Sequence, residues 1–163
     1  MLVRLAKIRP GHRVVDPFCG TGTIPLATHR RDPSTHILGL DHDPQALKLA
    51  TLNWQSRAPF ALATAENLPL ADGSVDRVVT NLPFGKRVGS HRTNRSLYPA
   101  VLSEIDRILT SNGRAVLLTE DKRLLRQAIE HRPALKLVRH RLLKYNGATP
   151  TAYIFARSRR HAK

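Results

Sequence analysis

The feature that most constrains the fold is the segment Val14–Thr23, in which a short apolar run ends in Asp16 and is followed by two glycines. A strand, a tight glycine turn and a helix in this order are typical of nucleotide-binding α/β proteins. The next helix is expected to begin with Thr23 as its N-cap and Pro25 in its first turn. The segment therefore predicts a nucleotide-type binding turn.

The residues around the two glycines narrow the choice of nucleotide. A dinucleotide fingerprint has a third glycine where this chain has Ile24-Pro25, and a phosphate-binding Walker loop has a lysine that is missing here. Asp16 would also repel a phosphate placed over the turn. The turn thus favours a cationic nucleoside without phosphates, which indicates S-adenosyl-L-methionine, whereas the glycine pair alone would equally fit an ordinary strand-to-helix turn. The candidate cofactor contacts in the turn are Asp16, Phe18, Gly20, Thr21, Gly22 and Thr23.

A second acid, Asp41, is the last residue of the next predicted strand, which covers 36–41. In nucleotide-binding α/β folds, an acid at this strand tip typically accepts hydrogen bonds from the ribose hydroxyls. We therefore expect Asp41, with His42 beside it, to bind the cofactor and Asp43 to cap the following helix, although a polar turn without a ligand has the same composition. The turn 64–70 is expected to border the adenine, and its candidate contacts are Ala65 and Glu66.

The later segments continue the alternation of strand and helix patterns. They predict strands over 60–63, 75–80, 115–119, 135–145 and 151–156, and helices over 97–109 and 122–129, the first of which is expected to end at Asn112-Gly113. Asn146-Gly147 indicates a hairpin between the last two strands. The order predicts a Rossmann-like, doubly wound α/β sheet of seven strands that ends in an antiparallel hairpin. One domain is expected over 1–156, with a basic, disordered tail over 157–163.

The charge balance points to a polyanionic partner. Lys and Arg number 27 against 12 acids, which gives a formal net charge of +15, and such an excess attracts nucleic acid, although a solvated basic surface would have the same charge. Cys19 is the single cysteine, so a disulfide framework is excluded, and a small buried side chain is expected there. No apolar run is long enough for a membrane span. These features predict a cytoplasmic protein that makes no membrane contact.

A second motif, Asn81-Leu82-Pro83-Phe84-Gly85-Lys86-Arg87, directly follows the fourth predicted strand. Together with the glycine turn, it resembles class I methyltransferases that act on exocyclic amines, and most of all the THUMP-associated RNA guanine-N2 methyltransferases. The resemblance covers 11–155. It implies transfer of a methyl group from S-adenosyl-L-methionine to guanosine N2 in RNA, with tRNA as the first choice and ribosomal RNA as the second.

The resemblance also implies roles for the residues of the second motif. The Asn81 side chain, which is also expected near the cofactor, and the adjacent backbone carbonyl would accept the two amine hydrogens and aim the nitrogen lone pair at the methyl group. Pro83 would stiffen the loop and Phe84 would stack on the base, although Phe84 could equally pack in the core. Candidate RNA contacts are Lys86, Arg87, Arg92 and Arg95, for which a solvated basic loop is the alternative.

The chain departs from this family pattern in two respects. About ten residues precede the first strand where the resembled enzymes have a THUMP region, so we expect a separate RNA-binding domain or subunit. Thr64 stands where many related enzymes have an aspartate near the adenine, and Glu66 could compensate. Two other functions stay open at this point: an adenine-N6 or protein-glutamine methyltransferase, and a non-catalytic subunit that binds the cofactor or RNA.

Overall fold

A computed structural model of the chain describes residues 1–54, 59–83, 91–132, 134–144 and 149–158, with the backbone alone for 91–93. Within these ranges the strands are β1 (Arg13–Asp16), β2 (His36–Asp41), β3 (Phe60–Leu62), β4 (Val75–Asn81), β5 (Leu109–Thr119), β6 (Leu135–Leu142) and β7 (Thr151–Arg157). The helices are α1 (Leu2–Leu5), α2 (Thr23–Arg31), α3 (Pro44–Trp54), α4 (His91–Ile108) and α5 (Lys122–Glu130).

The seven strands form one sheet in the order β3-β2-β1-β4-β5-β7-β6. β1 to β5 are mutually parallel, whereas β7 pairs antiparallel with both β5 and β6. The predicted doubly wound sheet with a C-terminal antiparallel pair is therefore confirmed. The strand order reverses between β1 and β4, and in such sheets ligands bind outside the carboxyl ends of the strands at this point.

The two faces of the sheet are covered by separate apolar layers. One layer contains α4 residues such as Val101 and Ile105 packed with Val78 of β4, and the other contains Ala6, beside α1, packed with Val79. Consecutive residues of β4 thus enter opposite layers, as expected for a strand that is buried on both faces. No helix in the described part of the chain is both long and apolar enough to cross a membrane.

Several predicted boundaries differ from the structure. Thr23 is not the N-cap of α2: the cap is Gly22, whose φ of 82° is left-handed, and Thr23 is the first helical residue. Asn81 is the last residue of β4 rather than the first residue after it. β7 includes Arg157, so this residue belongs to the sheet and not to the predicted tail. The hairpin turn at Asn146-Gly147 and the tail over 159–163 lie outside the described residues.

The prediction that Asn112-Gly113 ends a helix is wrong. α4 ends at Ile108 and the chain enters β5 directly, so Asn112-Gly113 lies inside that strand. The β4–β5 register pairs Val75 with Leu109 and then Arg77 with Arg114, which leaves a bulge in β5. A side-chain carbon at Gly113 would lie 2.8 Å from the carbonyl oxygen of Thr110, so the bulge requires glycine for close backbone approach.

Candidate active site at the carboxyl edge of the sheet

The glycine turn after β1 is packed tightly on one side and open on the other. Gly20 and Gly22 have φ values of 52° and 82°, which favour glycine. A side-chain carbon at Gly22 would lie 2.8 Å from the ring of Phe60, whereas one at Gly20 would meet no atom within 4 Å. The backbone at Gly20 is therefore accessible to a ligand from outside the sheet.

Asp41, at the tip of β2, holds the glycine turn in place. Its Oδ2 accepts a hydrogen bond from the Gly20 amide at 2.8 Å, and its Oδ1 accepts one from the Asp43 amide at 3.0 Å. Each carboxylate oxygen can accept a second hydrogen bond. His42 is largely exposed beside it, with Nδ1 3.3 Å from Asp41 Oδ1. Asp43 caps α3 as predicted, because its Oδ1 accepts from the Gln45 amide at 2.8 Å.

Asp16, at the end of β1, has a buried carboxyl group of which only one oxygen accepts a hydrogen bond in the described part of the chain. Its Oδ1 accepts a hydrogen bond from the Phe18 amide at 3.1 Å, while its Oδ2 has no hydrogen-bonding partner in the described part of the chain. The Thr80 hydroxyl is near but makes no well-formed hydrogen bond to it. Burial, with a smaller contribution from the charge of Asp41, raises the pKa of Asp16 to about 7. A cation near the turn would favour the ionised form.

The predicted amine-binding motif begins at the end of β4, two strand ends away from Asp41. The Asn81 side chain is exposed at the carboxyl edge. The Leu82 amide donates to the Leu118 carbonyl at 2.9 Å and so continues the β4–β5 hydrogen bonding beyond Asn81. This bond fixes one side of the motif against the sheet.

The other side of the motif is fixed by α4. The Pro83 carbonyl accepts two hydrogen bonds, one from Asn94 Nδ2 and one from Tyr98 Oη, each at 2.9 Å. Both side chains are buried, with at most 1% of their surface exposed. The segment from Asn81 to Pro83 is thus held between β5 and α4, and the loop is preorganised.

The direction of these hydrogen bonds follows from the groups involved. The Pro83 carbonyl can only accept, so the Tyr98 hydroxyl donates to it. Tyr98 Oη also lies 2.8 Å from Thr119 Oγ1, which itself accepts from the Asp121 amide at 2.9 Å. The Thr119 hydroxyl must therefore donate to Tyr98. Burial raises the pKa of Tyr98 to about 12, so the phenol keeps its proton at neutral pH.

The loop after β3 is also held by α4. Within it, Ala65 is buried and Glu66 exposed, and Thr64 pairs with Asn67 in an isolated bridge. Glu104 Oε2 accepts from the Leu68 amide at 2.7 Å, and the Arg107 guanidinium donates to the carbonyls of Leu68 and Leu70 at 3.0 and 2.6 Å. The Arg107 guanidinium, bonded to Glu104 at 2.7 Å, holds the pKa of that carboxyl below its usual range.

The carboxyl edge therefore brings together most of the predicted site residues. Phe18 is partly buried against the core, and Thr21 and Thr23 are exposed on the glycine turn. Cys19 is buried as expected, and burial raises the pKa of its thiol to about 12. Arg95 is exposed on α4. Phe84, Lys86 and Arg87, and the Arg92 side chain, lie outside the described residues.

Sequence reasoning missed the α4 side chains that hold the two loops. Tyr98 lies within the apolar period of α4, between Leu97 and Val101. A phenol on a buried helix face needs a hydrogen-bonding partner, and this signal could have marked Tyr98. Nothing in the sequence named the Pro83 carbonyl as that partner, because the two residues are joined only by tertiary contact.

Comparisons with known proteins agree with this architecture. The human tRNA (guanine(6)-N(2))-methyltransferase THUMP3 is 41% identical over 147 residues, which is 78% of this chain and 29% of the relative. The tRNA (guanine(6)-N2)-methyltransferase of Thermus thermophilus is 35% identical over 161 residues, which is 94% of this chain and 47% of the relative. This chain thus spans about half or less of the length of these relatives.

Solved structures show the same similarity. The crystal structure of TrmN from Thermus thermophilus superposes with a TM-score of 0.84 at 32% identity, over 96% of this chain and 47% of that one. A geranyl diphosphate methyltransferase in complex with SAM shares the fold, with a TM-score of 0.73 at 14% identity over 96% of this chain and 82% of that one. The family model for RMKL-like methyltransferase domains, UPF0020, matches residues 1–150. This chain therefore belongs to the UPF0020 family of RMKL-like methyltransferase domains.

Proposed function

We propose that this chain transfers a methyl group from S-adenosyl-L-methionine to the exocyclic N2 amine of a guanosine in RNA. One observation carries the proposal: an exposed Asn81 lies at the end of β4, beside the glycine turn of β1, on a segment held by Leu118 on one side and by Asn94 and Tyr98 on the other. A backbone that is fixed before the substrate arrives helps to aim an acceptor at a poorly nucleophilic amine.

The residues at the turn fit S-adenosyl-L-methionine. The backbone at Gly20 is open to a ligand, Asp41 can accept further hydrogen bonds from a ribose, and the Oδ2 of Asp16, unpartnered among the described residues, belongs to a buried carboxyl group that a bound cation would ionise. These features favour a cationic nucleoside over a phosphate-bearing one. When bound, this cofactor supplies a methyl group on a positively charged sulfur. Further proposed contacts are Phe18, Thr21, Gly22, Thr23, His42, Ala65 and Glu66.

The chemical contribution of the chain is to orient the amine. The Asn81 side-chain oxygen and the Leu82 carbonyl would accept the two amine hydrogens, which directs the nitrogen lone pair away from the loop and towards the methyl group. These acceptors also stabilise the positive charge that develops on nitrogen during transfer. A strong general base is not needed, because the amine proton becomes acidic once nitrogen carries the new methyl group. Phe84 is proposed to stack on the base.

The relatives support RNA as the substrate and guanine N2 as the target. Two of them are named as tRNA guanine-N2 methyltransferases, and a human relative with 31% identity over 125 residues is named U6 snRNA (guanine-N(2))-methyltransferase THUMPD2. We propose tRNA as the first substrate to test. Because this chain spans half or less of these relatives, we further propose that RNA is also bound by a separate domain or subunit. Cytoplasm is the proposed compartment.

The test uses two measurements on the purified chain. Isothermal titration with S-adenosyl-L-methionine reports cofactor binding, and mass spectrometry of nucleosides from unmodified tRNA transcripts reports N2-methylguanosine. Asn81→Ala should keep cofactor affinity within about twofold and lower transfer by about 100-fold, as for the loss of a transition-state acceptor. Asn112→Ala, at the opposite edge of the sheet, is the matched control. Wild-type transfer by Asn81→Ala would contradict the mechanism, and methylated adenosine would identify the alternative nucleobase.

A further inference from the structure

We propose that the groove between α4 and α5 binds the sugar-phosphate backbone of a single-stranded RNA segment next to the target nucleotide. The groove has a volume of about 730 Å³ and is lined on one side by Arg95 and Pro99 of α4 and on the other by Arg123 and Gln127 of α5. Arg132, just after α5, lines it as well. This inference rests on the proposed function, since it takes RNA as the partner.

The position of the groove links it to the amine-binding loop. Arg95 follows Asn94, whose side chain donates to the Pro83 carbonyl. Asp121, on the other wall, lies two residues after the carboxyl end of β5, and its amide donates to Thr119. The groove therefore opens at the same edge of the sheet as Asn81. A strand whose target base enters the site would have its neighbouring phosphates at this opening.

The charge of the groove complements phosphate. Three arginines and His131 line it, against one acid, Asp121. The Oδ1 of Asp121 accepts the Leu124 amide at 3.1 Å and so caps α5. Arg132 donates to the carbonyls of Pro99 and His131, each at 3.4 Å, so its guanidinium lies along the wall of the groove. Guanidinium groups match phosphate geometry through paired donors.

The uncharged lining suits a ribose-phosphate chain. Leu124 and Ala128 of α5 line the groove together with Pro99 of α4. Apolar surface between arginines allows sugars to pack while the phosphates face the guanidinium groups. Duplex RNA is recognised mainly by contacts across its wide minor groove, which extend over many base pairs. A groove of about 730 Å³ beside the proposed amine-binding loop instead favours a single strand.

The experiment measures RNA binding without using methyl transfer. The probe is a fluorescein-labelled 12-nucleotide oligouridylate, which contains no guanosine, and the readout is fluorescence anisotropy at several salt concentrations. Arg123→Glu places an acid in the groove, whereas Arg126→Glu makes the same charge change at an exposed position of α5 outside the lining. Arg123→Gln is the milder second variant, and thermal unfolding reports whether each variant is folded.

We expect Arg123→Glu to weaken binding about tenfold or more at low salt and to reduce the slope of log affinity against log salt by about 0.7, the value for one lost phosphate contact on a single strand. Arg126→Glu should change affinity by less than about threefold. Equal losses of RNA affinity in the two variants would overturn the proposed role of the groove and leave only general charge attraction. Absence of RNA binding by the wild type would overturn that role as well. Failure of the proposed function would be seen separately, as the absence of methylated guanosine, and the comparison of Arg123→Glu with Arg126→Glu would still be valid.

Discussion

Tyr98→Phe tests whether α4 positions the amine-binding loop. The substitution removes a hydroxyl that donates to the Pro83 carbonyl at 2.9 Å and leaves the Thr119 hydroxyl without its acceptor at 2.8 Å. A buried hydrogen bond contributes about 1 kcal/mol. Asn94 still holds the same carbonyl, so the loop should be loosened rather than released. We expect kcat to fall about fivefold, which corresponds to about 1 kcal/mol of lost positioning, and the free energy of unfolding to fall by about 1–2 kcal/mol.

The assay compares kcat, the KM for tRNA and the cofactor Kd of Tyr98→Phe with those of the wild type. The matched control is Tyr153→Phe, which removes the hydroxyl of a buried tyrosine of β7 without touching Pro83. Adding Asn94→Leu to Tyr98→Phe removes both donors and should lower kcat more than the product of the two single effects. An unchanged kcat in the double variant, or an equal loss in Tyr153→Phe, would refute the positioning role.

Three further substitutions test the rest of the site. Asp41→Ala removes the acceptor of the Gly20 amide, which is also the proposed ribose acceptor. The cofactor Kd measured by titration should therefore rise about 100-fold, which corresponds to about 3 kcal/mol. A wild-type Kd would contradict this role of Asp41. For Asp16, whose pKa of about 7 lies above the usual 3.8, the folded state retains a proton that the unfolded chain releases, so stability should fall as pH rises from about 4 to about 7. Asp16→Asn should remove the pH dependence of the free energy of unfolding measured in urea, and it should be more stable than the wild type at pH 8 by at most about 4 kcal/mol. An unchanged pH profile in this variant would contradict the raised pKa of Asp16. Arg107→Gln breaks the hydrogen bonds to the Leu68 and Leu70 carbonyls and should lower the free energy of unfolding by about 1–3 kcal/mol. It should also weaken cofactor binding more than it lowers kcat. A larger effect on kcat than on cofactor binding would be inconsistent with a role at the cofactor loop.

The sequence predicted best the elements whose signals are local. β2 has the predicted bounds, and β1 ends at Asp16 as predicted, because a short apolar run that ends in an acid before a turn leaves little freedom in where the strand ends. α4 begins six residues before the predicted Leu97, because its first residues are polar and show no apolar period. Asn112-Gly113 has the composition of a turn, yet the pairing of β4 with β5 places it in a bulge. Tertiary pairing therefore decided what local composition left ambiguous.

The site residues also divide into those with a signal in the sequence and those whose role depends on tertiary contacts. Asp41 was predicted from its place at the end of the second strand, which needs only the order of the elements, whereas the role of Asn81 came from the resemblance of its motif to amine methyltransferases. Asn94 and Tyr98 were not predicted, because their role depends on the distance between a helix and a backbone carbonyl. A sequence pattern can place a side chain at the carboxyl edge of the sheet, but it does not show which groups hold the intervening loops.

α4 unites these contacts in one element. Its first turns hold the Pro83 carbonyl through Asn94 and Tyr98, and its last turns hold the loop after β3 through Glu104 and Arg107. The two sets act on different sides of the site, since Pro83 follows the amine acceptor Asn81 and Leu68 lies within the predicted adenine loop over 64–70. Perturbing the first set should therefore alter kcat, and perturbing the second should alter cofactor affinity. Because both sets extend from one helix, the distance between the methyl donor and the amine acceptor depends on how α4 packs against the sheet.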